Sequence, residues 1–147
     1  MEKEKHSHKH TEAEIQEKVI IYQLLNKQLE ELRRDAVIIQ ERLLELDGTR
    51  QAIEELKKPR EDVLIPIGSG FYLYGKITGK KILSNVGADV MVDRSVEDAI
   101  EMIEEKKKEL ERLKSDVERD TNNVVKTINE MLPEIQEMIR EVQEGEK

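Results

Sequence analysis

The sequence has no cysteine and no tryptophan, and only one phenylalanine and three tyrosines among 147 residues. Without cysteine there is no disulfide framework and no thiolate chemistry. Aromatic residues make up 3% and charged residues 39%. That composition excludes a large compact core and favours long helices with solvated outer faces. No apolar run reaches the roughly 20 residues that span a bilayer. The first residues lack the apolar stretch of a signal peptide. The expectation is a soluble cytoplasmic chain with no membrane partner. Proline and glycine are also scarce, with three and seven residues. Most of them fall between positions 59 and 94, so the rest of the chain is nearly free of helix breakers.

The net charge is −8, and it is unevenly placed. By formal count, residues 1–10 carry about +1, 11–58 about −3, 59–94 about +1 and 95–147 about −7. So acidic a second half excludes binding to a phosphate backbone along it, and no nucleic-acid partner is expected. Residues 1–10 are polar and aperiodic and read as a disordered tail. His6, His8 and His10 alternate there, as in tracts that bind divalent metals. Nothing beside them supplies supporting ligands, so they read as incidental, and no metal is expected.

Residues 11–58 read as one helix. Thr11 and Glu14 fit a capping box. One seam set is Ile15, Tyr22, Leu29, Ala36 and Leu43. The other is Leu25, Leu32, Ile39, Leu46 and Ile53. Their alternating spacing of three and four is a coiled-coil signal. Lys18 and Arg50 occupy polar seam positions that can fix register. Gly48 should loosen the helix, and Pro59 should end it by Lys58.

Residues 59–94 change period. Val63–Ile67, Phe71–Tyr74 (extending to Ile77), Lys81–Val86 and Val90–Val92 read as four strands. Gly68-Ser69-Gly70, Thr78-Gly79 and Gly87-Ala88-Asp89 are the turns. Pro66 cannot donate to a ladder, so its strand should be an edge or bulged. Two hairpins of this kind are not stable alone in water. Their edges should be covered by other subunits. The oligomerising side chains expected are Val63, Leu64, Ile65, Ile67, Phe71, Leu73, Ile82, Val86, Val90 and Val92.

Residues 95–147 return to helix, with Ser95 and Asp98 at its start. One seam set, Val96, Ile103, Leu110, Val117, Val124, Met131 and Met138, is wholly apolar. Its companion is Ile100, Lys107, Lys114, Thr121, Ile128, Ile135 and Val142. That set is polar in the middle, so pairing should weaken around Asp120–Asn123. Pro133 predicts a kink or local break. Two helices of nearly equal length about a short β insert predict an antiparallel intrachain coiled coil. The fold class is α+β.

The chain carries little catalytic chemistry. Gly70 to Ile77 has the spacing of a P-loop but ends in Ile rather than Ser or Thr. Its middle is strand-forming and no helix follows. Carboxylate pairs such as Glu30/Glu31 and Glu104/Glu105 read as solvated helix faces. No nucleophile stands near a base. Neither an enzyme nor a cofactor is expected. What remains is surplus apolar surface where the free ends of the helices meet. Ile20, Ile21 and Leu24 lie off the first seam, and Leu132 and Ile139 off the second, beside Met131 and Met138. A third helix or drift of the seam would account for them. So would a surface that grips varied partners.

These features resemble the alpha subunits of archaeal prefoldin. The likeness is sharpest in Val63-Leu-Ile-Pro-Ile-Gly-Ser-Gly70, in Val86-Gly-Ala-Asp-Val-Met-Val92, and in Ser95-Val-Glu-Asp-Ala99. Two hairpins rather than one fit the alpha class. The resemblance implies a hexamer of two alpha and four beta subunits, with hairpins joined in a double β-barrel base. It implies that the coiled-coil tips hold non-native proteins without ATP and pass them to a group II chaperonin. The tip residues would then be Ile20, Ile21, Leu24, Met131, Leu132, Met138 and Ile139. Two other readings stay open. One is a structural coiled-coil protein that self-assembles into rings or filaments through its hairpins. The other is a nucleotide-exchange cochaperone, in which a β module also joins long helices.

Overall fold

A computed structural model describes residues 11–79 and 81–145. The expected tail, with His6, His8 and His10, lies outside the described residues. Two helices flank two hairpins: α1 (Glu12–Glu55), β1 (Arg60–Gly68), β2 (Phe71–Ile77), β3 (Lys81–Asn85), β4 (Met91–Ser95) and α2 (Val96–Gly145).

Helix α1 starts as its cap dictates. Thr11 Oγ1 accepts from the Glu14 N–H at 3.3 Å, and the Thr11 carbonyl accepts from the Ile15 N–H. The helix ends at Glu55, slightly before Lys58, in tightened turns closed by Leu56 and Lys57 N–H groups. Gly48 interrupts nothing: the helix runs through it. Helix α2 follows β4 with no linker, because Ser95 ends the strand and caps the helix. Ser95 Oγ accepts from the Asp98 N–H at 3.1 Å. The break expected at Pro133 does not occur, and α2 continues to Gly145. Pro133 and Asn129 are both exposed, so the carbonyl that proline leaves unpaired can turn to water.

The hairpins form two separate two-stranded antiparallel sheets. In the first, Leu64 opposes Tyr74 and Pro66 opposes Tyr72, and register slips between Pro66 and Gly68. That slip is the irregularity expected of a proline that cannot donate. Gly68, Ser69 and Gly70 all have positive φ, which explains two glycines in three residues. Gly75 lies within β2 beneath the tip of an exposed side chain. A Cβ there would stand 2.8 Å from Ile65 Cδ1. In the second sheet Ile82 opposes Arg94 and Ser84 opposes Val92. Its turn is held by Asn85 Oδ1, which accepts from the Gly87 N–H at 2.9 Å.

The chain divides into two compact units, Met1–Ile38 with Lys114–Lys147, and Ile39–Leu113. In the first, Leu29 packs with Val124 and Ile128, bordered by Tyr22, Leu25 and Leu32. In the second, Leu46 and Ile53 pack with Val96, Ala99 and Ile103. Within each unit the α1 and α2 segments pair antiparallel, and the contacts fall on the expected seams.

Polar seam positions pair across the helices. Lys18 meets Glu134 at 3.0 Å, Arg50 meets Glu104 at 3.0 Å, and Lys107 meets Asp47. Register is thus fixed by charge as well as by packing. On α2 no described residue between Ile103 and Val124 is buried. The seam thins where Lys107, Lys114 and Thr121 replace apolar residues.

Candidate functional site

The first candidate surface is the pair of hairpins. No residue of β1 to β4 is buried. In β1–β2 both faces are apolar. Leu64, Pro66, Tyr72 and Tyr74 share one face, and Val63, Ile65 and Leu73 share the other. Leu64, Ile65, Ile67 and Leu73 are all exposed, Phe71 is 68% exposed, and Val63 is half-buried. A sheet normally hides one face and wets the other. This ribbon wets two apolar faces, which sets it apart from scattered surface leucines.

In β3–β4 the faces differ. Ile82, Ser84, Val92 and Arg94 form the inner face. Ile82 packs against the cluster of Leu46, Ile53 and Ile103. It is therefore half-buried against the chain's own helices, and only part of its side chain is left for another subunit. Strand alternation separates the two faces, but only the fold says which one the chain covers itself. Val86, Val90 and Val92 remain exposed. Sequence reasoning passed over Tyr72, Tyr74, Leu83 and Met91, which are exposed on the hairpins as well, Tyr74 at 89%. For Tyr72 and Tyr74 the signal that could have found them was the unbroken apolar run Phe71–Tyr74, which leaves neither face of that strand polar.

The second candidate surface lies in the unit formed by the free ends of the helices. Ile20, Ile21, Leu24, Leu132 and Ile139 are exposed, Leu24 at 61%. The Lys18–Glu134 pair and the contact of Leu29 with Val124 fix the level of the two strands of the seam. That register sets Ile21 level with Leu132. Met131 and Met138 do not join this surface. They are buried at 7% and 4%, because they continue the apolar seam set of α2. The exposed group is thus aliphatic, without the two methionines. Val37, Ile38 and Leu44 are also exposed on α1, off the seam and outside the expected set.

No group of three or more His, Asp or Glu among the described residues is placed to hold a metal. Gly70 and Gly75, which carried the P-loop spacing, lie at a hairpin turn and within β2. No described helix is long and apolar enough to cross a membrane.

Comparison with known proteins accords with this architecture. A family model described as prefoldin subunit matches residues 25–141. The prefoldin subunit alpha of Pyrococcus horikoshii is 34% identical over 92 residues, covering 60% of this chain and 62% of the relative. That of Methanothrix thermoacetophila is 31% identical over 99 residues, covering 65% of each. The match thus spans less than two thirds of these relatives. A cryo-EM structure of filamentous PFD from Methanocaldococcus jannaschii superposes with a TM-score of 0.67 at 23% identity. It covers 81% of this chain and 98% of the other, a likeness of fold.

Proposed function

This chain belongs to the prefoldin family, among its alpha subunits, and from that membership we propose that it is a subunit of an ATP-independent holdase. It captures non-native proteins at the helix ends and delivers them to a group II chaperonin. It works in the cytoplasm as part of a hexamer of two alpha and four beta subunits, joined through the hairpins. The observation that carries client capture is the exposed aliphatic group Ile20, Ile21, Leu24, Leu132 and Ile139, gathered in one unit. Exposed apolar clusters bind without needing a defined partner sequence, which suits non-native clients. The observation that carries assembly is the two-faced apolar ribbon β1–β2, which one chain leaves uncovered.

Two measurements test the reading. Native mass spectrometry of this chain with a single-hairpin beta-type subunit from the same source should give a hexamer with two copies of this chain. A homo-oligomer that ignores the partner would favour the self-assembling reading. Substituting Ile20, Ile21, Leu24, Leu132 and Ile139 together by Ser should leave that hexamer intact. It should weaken suppression of client aggregation by about tenfold or more. Unchanged suppression would remove the client role from these residues.

A further inference from the structure

A groove of about 260 Å³ opens within the second unit, between the inner face of β3–β4 and the helix segments beside it. Its floor includes Leu46, Ile82 and Ile103, and its rim carries Arg42, Arg94 and Lys106 with one carboxylate, Glu45. Three cations on one small apolar opening stand out in a chain of net charge −8. Their commitments differ. Arg42 is paired with Glu45 at 2.7 Å. Arg94 donates from Nε to Ser84 Oγ at 2.7 Å, a neutral acceptor. Among the described residues, no carboxylate pairs with Arg94 or Lys106.

Arg94 is half-buried and held in place. It lies opposite Ile82 in the ladder and one residue before the Ser95 cap. Its remaining donors form a planar fork that matches a carboxylate. We propose that this groove docks a segment of the neighbouring subunit that carries a carboxylate beside an apolar side chain. The carboxylate pairs with Arg94 and Lys106, and the apolar side chain covers the floor. The proposal rests on the assembly reading above. It commits to a neighbouring subunit because the groove shares β3–β4 with the hairpin platform and lies in the same compact unit. A small inorganic anion would satisfy the rim and leave the apolar floor wet.

The test is assembly of the full chain with the beta-type subunit, read by native mass spectrometry over a dilution series at two salt concentrations. Wild type, Arg94→Gln, Arg94→Lys and Ser84→Ala are compared, with helix content checked by circular dichroism. Arg94→Gln should weaken assembly by about tenfold or more and flatten its salt dependence. Arg94→Lys should retain part of the affinity. Ser84→Ala keeps the charge and removes only the bond that orients it, so it should weaken assembly less than Arg94→Gln and keep the salt dependence. Equal weakening by Ser84→Ala and Arg94→Gln would make the role of Arg94 internal and overturn the proposal. Wild-type affinity and salt dependence in Arg94→Gln would overturn it too. Failure of the wild-type chain to take up the beta-type subunit would defeat the assembly reading along with the docking, whereas the two preceding results defeat the docking alone.

Discussion

At the scale of single residues, the seam is tuned by side chains that a purely apolar coiled coil would not need. Lys107 holds a seam position with only 19% of its side chain exposed. A hydrogen bond to Asp47 raises its pKa above the ordinary 10.5. Burial opposes that rise, and the charges of Asp47, Glu104 and Glu111 support it. The folded chain therefore holds the proton more tightly than the unfolded one. This contribution to stability is complete below pH 10.5 and is lost as pH climbs through the raised folded value. Melting curves above pH 10.5 should show wild type losing stability relative to Lys107→Met, which lacks the titration. Gly48 is the opposite case. It sits exposed in mid-helix, and a Cβ there would meet nothing within 4 Å. Gly48→Ala should stabilise the chain by about 0.5–1 kcal/mol, read by thermal melting, because alanine surrenders less backbone freedom on folding.

At the scale of elements, α2 tolerates a residue that usually ends a helix. Pro133 removes one internal hydrogen bond from α2, yet the helix continues for 12 residues beyond it to Gly145. Pro133→Ala should raise stability by up to about 3 kcal/mol in chemical denaturation. A fall would mean that proline relieves a local strain. The helices themselves were readable from spacing. Among the described residues, every buried one lies on an expected seam except Ala99. Ala99 stands three residues after Val96 and four before Ile103, a place the helical period also allows, but its burial is decided by packing in the cluster that Ile82 of β3 joins, which spacing alone does not encode. The same limit explains Ile82, whose strand pattern names two faces without saying which is covered. It also explains Met131 and Met138. Their periodicity placed them on the seam and their position placed them at the helix ends, and packing decided for the seam. Proline in β1 was legible as a bulge because the missing N–H acts locally.

For the molecule as a whole, a single chain buries helix against helix and leaves β1–β2 uncovered. Isolated hairpins are marginal in water, and none of these four strands buries a residue. Hydrogen exchange should therefore find the β1–β2 amides weakly protected in the isolated chain and strongly protected in the assembled complex. The seam around Leu46 and Ile103 should be protected in both. Equal strand protection in the two states would mean that the hairpins are stable without partners. The two sheets stay separate, and each is only two strands wide. Every hairpin thus offers two unpaired outer edges. In the vocabulary of step-growth polymers, a subunit with two such hairpins has a functionality of four and one with a single hairpin a functionality of two. The ratio in which the two kinds are supplied then governs how far an assembly grows before it closes.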